Sequence, residues 1–161
     1  MNFHRAVSTC PLLARGLQKS LQALATAHRS LIGIDDTRRF QHSLNLEAVL
    51  SAEEPQMKQW DYALGWEGAS CTHSCCFVEV HPANTISATD LIGKKRDVES
   101  WLSRNAAAVR TLAHETATRL NAPVWHWLAT DAAIAIRKGS QASRQLAAAG
   151  ISGPKRRLEL D

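Results

Sequence analysis

The stretch Phe77-Val78-Glu79-Val80 constrains this chain more than any other, because it sets a carboxylate inside an apolar run. Short runs of aromatic and β-branched residues bounded by turn formers read as strands. A carboxylate buried there without a partner is strongly destabilising, so Glu79 needs a metal ion, a cation or solvent beside it. The strand runs from Cys76 to Pro82. A second one, Trp60-Asp61-Tyr62-Ala63-Leu64-Gly65-Trp66, precedes it and begins with another acid. The connection between them, Glu67 to Cys75, is polar and rich in cysteine.

The remaining pattern supplies the elements that could hold these two strands. Cys10 to Ile32 reads as a helix, with Ser8 or Thr9 as cap, Pro11 in the first turn and Gly33 as the stop. Leu13, Leu17, Leu21, Leu24 and Leu31 form its apolar stripe. Ile34 to Gln41 reads as a loop, Ser43 to Leu50 as a first strand, and Ser51 to Lys58 as a loose connection. Ser87-Ala88-Thr89-Asp90 has the spacing of a capping box. Leu91, Val98, Trp101, Leu102, Val109 and Leu112 then predict a long helix reaching Leu120, with a break near Ser103 to Asn105. Asn121 is placed as its C-cap and Pro123 just beyond. Val124 to Leu128 reads as a fourth strand, paired through Thr130-Asp131 with Ala132 to Ile136. A short helix opened by Gly139-Ser140 and closed by Gly150 follows, then an edge strand over Lys155 to Leu160.

At 161 residues this order makes one α/β domain. Its central mixed sheet of four to six strands is flanked by an N-terminal helix and a long middle helix. The core covers about 11–128, and 129–161 form a C-terminal appendix. The first ten residues lack the apolar core of a signal peptide, and no apolar run is long enough to cross a bilayer. The expectation is a cytoplasmic protein whose cysteines, Cys10, Cys71, Cys75 and Cys76, stay mostly reduced. The net charge is +4, and basic residues cluster at Arg38-Arg39, Lys94-Lys95-Arg96, Arg137-Lys138 and Lys155-Arg156-Arg157. Such clusters suit a polyanion such as nucleic acid, and also an ordinary solvated surface. A homodimer and an unidentified protein partner stay open.

Helix, three strands, long helix and strand, with Asp61 opening the second strand and Glu79 inside the third, resembles the core of the PD-(D/E)xK nuclease superfamily. The resemblance implies a restriction-endonuclease-like fold and hydrolysis of phosphodiester bonds in nucleic acid with Mg²⁺ or Mn²⁺. It assigns Asp61 and Glu79 to the metal; apart from the resemblance, Glu47 on the first strand is a possible third acid. Glu79-Val80-His81 stands where the family has Glu-x-Lys, so His81 replaces the lysine, and no proline precedes Asp61. Lys94 or Lys95 on the following helix could supply the missing cation. The alternative is an inactive nuclease-like scaffold that binds nucleic acid or protein.

The chemistry is sound apart from any family. Carboxylates on adjacent strands can hold a hard cation through oxygen ligands. Glu79 and His81, two apart in a strand, share a face. Cys71-Thr72-His73-Ser74-Cys75-Cys76 offers the ligand types zinc prefers, but no second pair of ligands follows at zinc-site spacing, so the cluster reads foremost as a polar hairpin loop, with a redox role as the alternative. His114 or His126 would have to fold nearby to complete a zinc site there.

Overall fold

The computed structural model describes residues 1–68, 73–130 and 136–160. Its centre is a mixed six-stranded sheet with the order β1 (Leu17–Lys19), β3 (Phe40–Asn45), β4 (Tyr62–Trp66), β5 (Ser74–Val80), β6 (Trp125–Leu128) and β7 (Ile151–Lys155). The first four strands run antiparallel to their neighbours, whereas β5, β6 and β7 are parallel. A separate parallel pair joins β2 (Ile32–Ile34) to β8 (Leu158–Leu160). The final edge strand read over Lys155 to Leu160 is therefore two strands, in two different sheets.

Strands β4 and β5 are buried along their whole length, which explains their near-continuous apolar sequences. The chain from β5 to β6 passes through α5 (Ala88–Asn105) and α6 (Ala107–Leu120), a crossover of the kind parallel neighbours require. Ser87 caps α5 as the spacing predicts: its hydroxyl accepts from the amide of Asp90 at 3.1 Å and donates to the Asp90 carboxylate at 2.7 Å, in place of the backbone bond of a full capping box. The break falls at Ala106, and Asn121 ends α6 in the left-handed conformation. A further helix, α7 (Gln141–Ala148), is capped by Ser140. The hairpin expected over Ala132 to Ile136 lies largely outside the described residues.

Two sequence readings are corrected. Cys10 to Ile32 is not one helix: α1 (Phe3–Ser8), α2 (Pro11–Ala14), β1, α3 (Thr26–Arg29) and β2 share that region and its approach. Gly16 sits so close to Val49 and Leu44 that any side chain would collide with them. Just past it, the backbone of Leu17–Lys19 pairs with β3, and Ser20 turns through a positive φ of 51°. The leucine stripe is real as a burial signal, with Leu13 and Leu24 fully enclosed, but three short pieces satisfy it. The second correction concerns Ser43 to Leu50. The strand ends at Asn45, whose side chain accepts from the amide of Ala48 at 2.8 Å and starts α4 (Leu46–Leu50). Leu46 and Leu50, four apart, are both buried, a helical spacing that alternation over Leu44 and Leu46 had masked.

Helices α5, α6 and α1 lie over the sheet face that carries Asp61, Ala63, Gly65, Phe77, Glu79, Trp125 and Trp127. The register Ala63↔Phe77↔Trp125 puts these residues on one side. Phe3 of α1 packs on Gly65, and Lys94 and Lys95 of α5 reach Glu79 and Trp125. No helix among the described residues is long and apolar enough to cross a membrane.

Candidate metal centre

Asp61 immediately precedes β4 and Glu79 lies near the end of β5, so the pairing Tyr62↔Val78 brings the two acids opposite one another. Each carboxylate is held by the other's strand. The amide of Asp61 donates to Glu79 Oε2 at 3.2 Å, and the amide of Val80 donates to Asp61 Oδ2 at 2.8 Å. The Asp61 carbonyl in turn accepts from Leu46 at 2.8 Å, which ties the start of α4 to the site.

Two basic side chains complete the arrangement. Lys94, in the second turn of α5, donates directly to Glu79 Oε1. His81 follows β5 and places Nε2 3.4 Å from the same oxygen. Its backbone is pinned on both sides, since its amide donates to the Leu128 carbonyl at 3.1 Å and its carbonyl accepts from Trp127 Nε1 at 3.3 Å. One donor atom from each of Asp61, Glu79 and His81 falls within 4.8 Å of the others. Two carboxylates and an imidazole in that compass could hold a divalent cation.

The electrostatics are those of a site under tension. Glu79 is fully enclosed, and burial foremost, then the negative charge of Asp61, push its carboxyl upward; the Lys94 ammonium opposes them. Burial also raises Asp61, against the Val80 amide and the charges of Lys94 and His81. A bound dication would favour the ionised form of both acids.

A cleft of about 360 Å³ opens beside the pair, walled by His81, Lys94, Glu47, Lys58, Gln59 and Asp90. Lys58 and Asp90 form an ion pair across it at 3.1 Å. The structure thus brings together Asp61, Glu79, His81 and Lys94. Glu47 is corrected from strand to helix: it stands exposed in the first turn of α4, lines the cleft, and lies outside the three-residue donor group. Lys95 turns the other way, into an ion pair with Glu99 at 2.7 Å. The contributions that sequence reasoning missed are those of Trp127, which fixes His81, and of Lys58 and Gln59 in the cleft wall. A lysine and a glutamine in the connection before a strand carry no signal of their own.

Among the described residues, Cys75 and Cys76 do not converge on one point. Cys75 and Cys76 are buried successive residues of β5, so their side chains point to opposite faces. Burial pushes both thiols well above their ordinary range, away from the thiolate that zinc binds. Cys71 lies outside the described residues. The basic clusters are partly neutralised: Arg38 pairs with Asp36, Lys95 with Glu99, Arg96 with Asp97 and Arg157 with Glu159.

Fold and site together define an α/β chain with an acid pair set across two antiparallel strands and a lysine delivered by the crossover helix. Compared with known proteins, the chain matches no family model, no curated protein and no solved structure.

Proposed function

We propose that this protein is a metal-dependent phosphodiesterase acting on nucleic acid, of the PD-(D/E)xK nuclease type, with a restriction-endonuclease-like core. The observation that carries the reading is the convergence of Asp61, Glu79 and His81 within 4.8 Å, beside the Lys94 ammonium. Asp61 and Glu79 would hold Mg²⁺ or Mn²⁺. The ion, when bound, lowers the pKa of a water and offsets charge on the phosphate under attack. Lys94 takes the place of the lysine that the Glu-x-Lys pattern puts at His81. It reaches the same carboxylate from a helix, orients Glu79 and presents positive charge at the cleft wall. His81, with 39% of its side chain exposed, can ligate the cation or carry a proton at Nε2.

One observation favours a second reading. Lys94 already satisfies Glu79 as a buried ion pair, as it would in an inactive scaffold that binds nucleic acid or protein. The test is cleavage of single- and double-stranded DNA and RNA with Mg²⁺ or Mn²⁺, comparing the wild type with Glu79→Gln. Metal-dependent cleavage lost in a folded variant supports the enzyme. A wild type that binds the metal and cleaves none of the four substrates refutes it.

A further inference from the structure

The opposite flank of α5 borders a second and larger cleft. Successive helical residues project about 100° apart, so Lys94 serves the acid pair while Lys95 faces away from it. The cleft on the Lys95 side has a volume of about 450 Å³ and lies between α5, α6 and the start of β6. Small-molecule sites fall in the range of about 300–1,000 Å³.

Its floor is apolar and aromatic. Phe77 and Trp125 contribute to it and stack on one another, with ring centroids 4.0 Å apart and planes inclined by 15°. On the α6 side Ala113 and Ala117 keep the wall low. The rim carries three basic side chains, Lys95, Arg110 and His114, and one acid, Glu99. Glu99 is already engaged by Lys95, whose ammonium also stands 5.4 Å from the centre of the Trp125 ring. Arg110 and His114 are four apart on α6, hence on one side of it, and neither side chain has an ion-pair or hydrogen-bond partner among the described residues.

We propose that this cleft binds a small ligand combining a flat ring with a phosphate, of the class of nucleoside monophosphates. The apolar lining suits the ring, with Phe77 and Trp125 almost wholly enclosed beneath it. The Arg110 fork, with His114 and Lys95 beside it, suits a doubly charged anion better than a single carboxylate. The site is separate from the acid pair and does not depend on its being catalytic.

Calorimetric titration of the whole protein with adenosine monophosphate, adenosine and inorganic phosphate tests it. The nucleotide should bind saturably and more tightly than either fragment. Arg110→Ala should weaken it about tenfold or more, the loss expected for one charge-assisted hydrogen bond. Ala117→Leu should fill the cleft and block binding, with the circular-dichroism melt unchanged. Glu79→Gln should leave nucleotide affinity as it is, which separates this site from the acid pair. The proposal is overturned if the nucleotide binds no tighter than phosphate alone, or if Arg110→Ala binds like the wild type. Arg110 is exposed, so its variant tests the site even where Ala117→Leu does not fold.

Discussion

Replacing Glu79 by Gln should stabilise the metal-free protein at neutral and alkaline pH, although it removes one half of an ion pair. Glu79 is fully enclosed, faces Asp61, and has its carboxyl pushed from an ordinary 4.5 to about 7. Such a group favours folding only while protonated, so its contribution is complete below pH 4.5 and is lost as pH rises to about 7. The full displacement corresponds to an upper bound of roughly 3 kcal/mol. Gln keeps the acceptor for the Asp61 amide and removes the repulsion between the acids. It forfeits the Lys94 interaction, so a net gain of about 1–2 kcal/mol is expected, or roughly 2–8 °C in Tm for a chain of this size. The assay is urea unfolding of both proteins at pH 8 and at pH 4.5, with chelator present. The gain should appear at pH 8 and vanish at pH 4.5. A variant less stable at pH 8 would refute the reasoning, because the Glu79–Lys94 pair would then be a net support of the fold.

Other perturbations probe the frame around the site. His126 is buried on β6 with Nδ1 unpartnered, and burial, then Lys155, lower it from 6.5 to about 4. Its contribution is therefore whole above pH 6.5 and lost as pH falls towards 4, by up to roughly 3 kcal/mol. His126→Phe should flatten that acid limb in pH-dependent urea melts, and an unchanged limb would contradict it. Gly65→Ala would drive a Cβ into the Phe3 side chain of α1 and should cost about 1–3 kcal/mol by thermal unfolding. A neutral result would mean that α1 does not pack on β4 as described.

Strands β4, β5 and β6 and the middle helices were legible because local signals agreed with tertiary ones. Ser87 and Asp90 cap α5, Asn121 ends α6, and the apolar runs of β4 and β5 are enclosed on both faces. The N-terminal third was misread where they disagree. Helical leucine spacing there is overruled by Gly16, which must approach Leu44 and Val49, and by the backbone pairing that β3 offers to Leu17–Lys19. That Glu79 needs a cation or metal beside it could be read from sequence, because an acid in an apolar strand demands a partner, whereas setting Asp61 with it rested on the family resemblance. Choosing Lys94 over Lys95 could not be done from composition. It depends on which side of α5 meets the sheet, and that is set by the burial of Leu91, Val98 and Trp101.

The central claim is that Asp61 and Glu79 share one divalent cation, and Mn²⁺ titration followed by calorimetry tests it most directly. The wild type should bind one ion per chain, more tightly as pH rises and the two carboxyls lose their protons. Asp61→Asn and Glu79→Gln should each abolish the signal while remaining folded. Absence of binding in the wild type at pH 8, or undiminished binding in both variants, would contradict the claim and leave Glu79 as the partner of Lys94 alone.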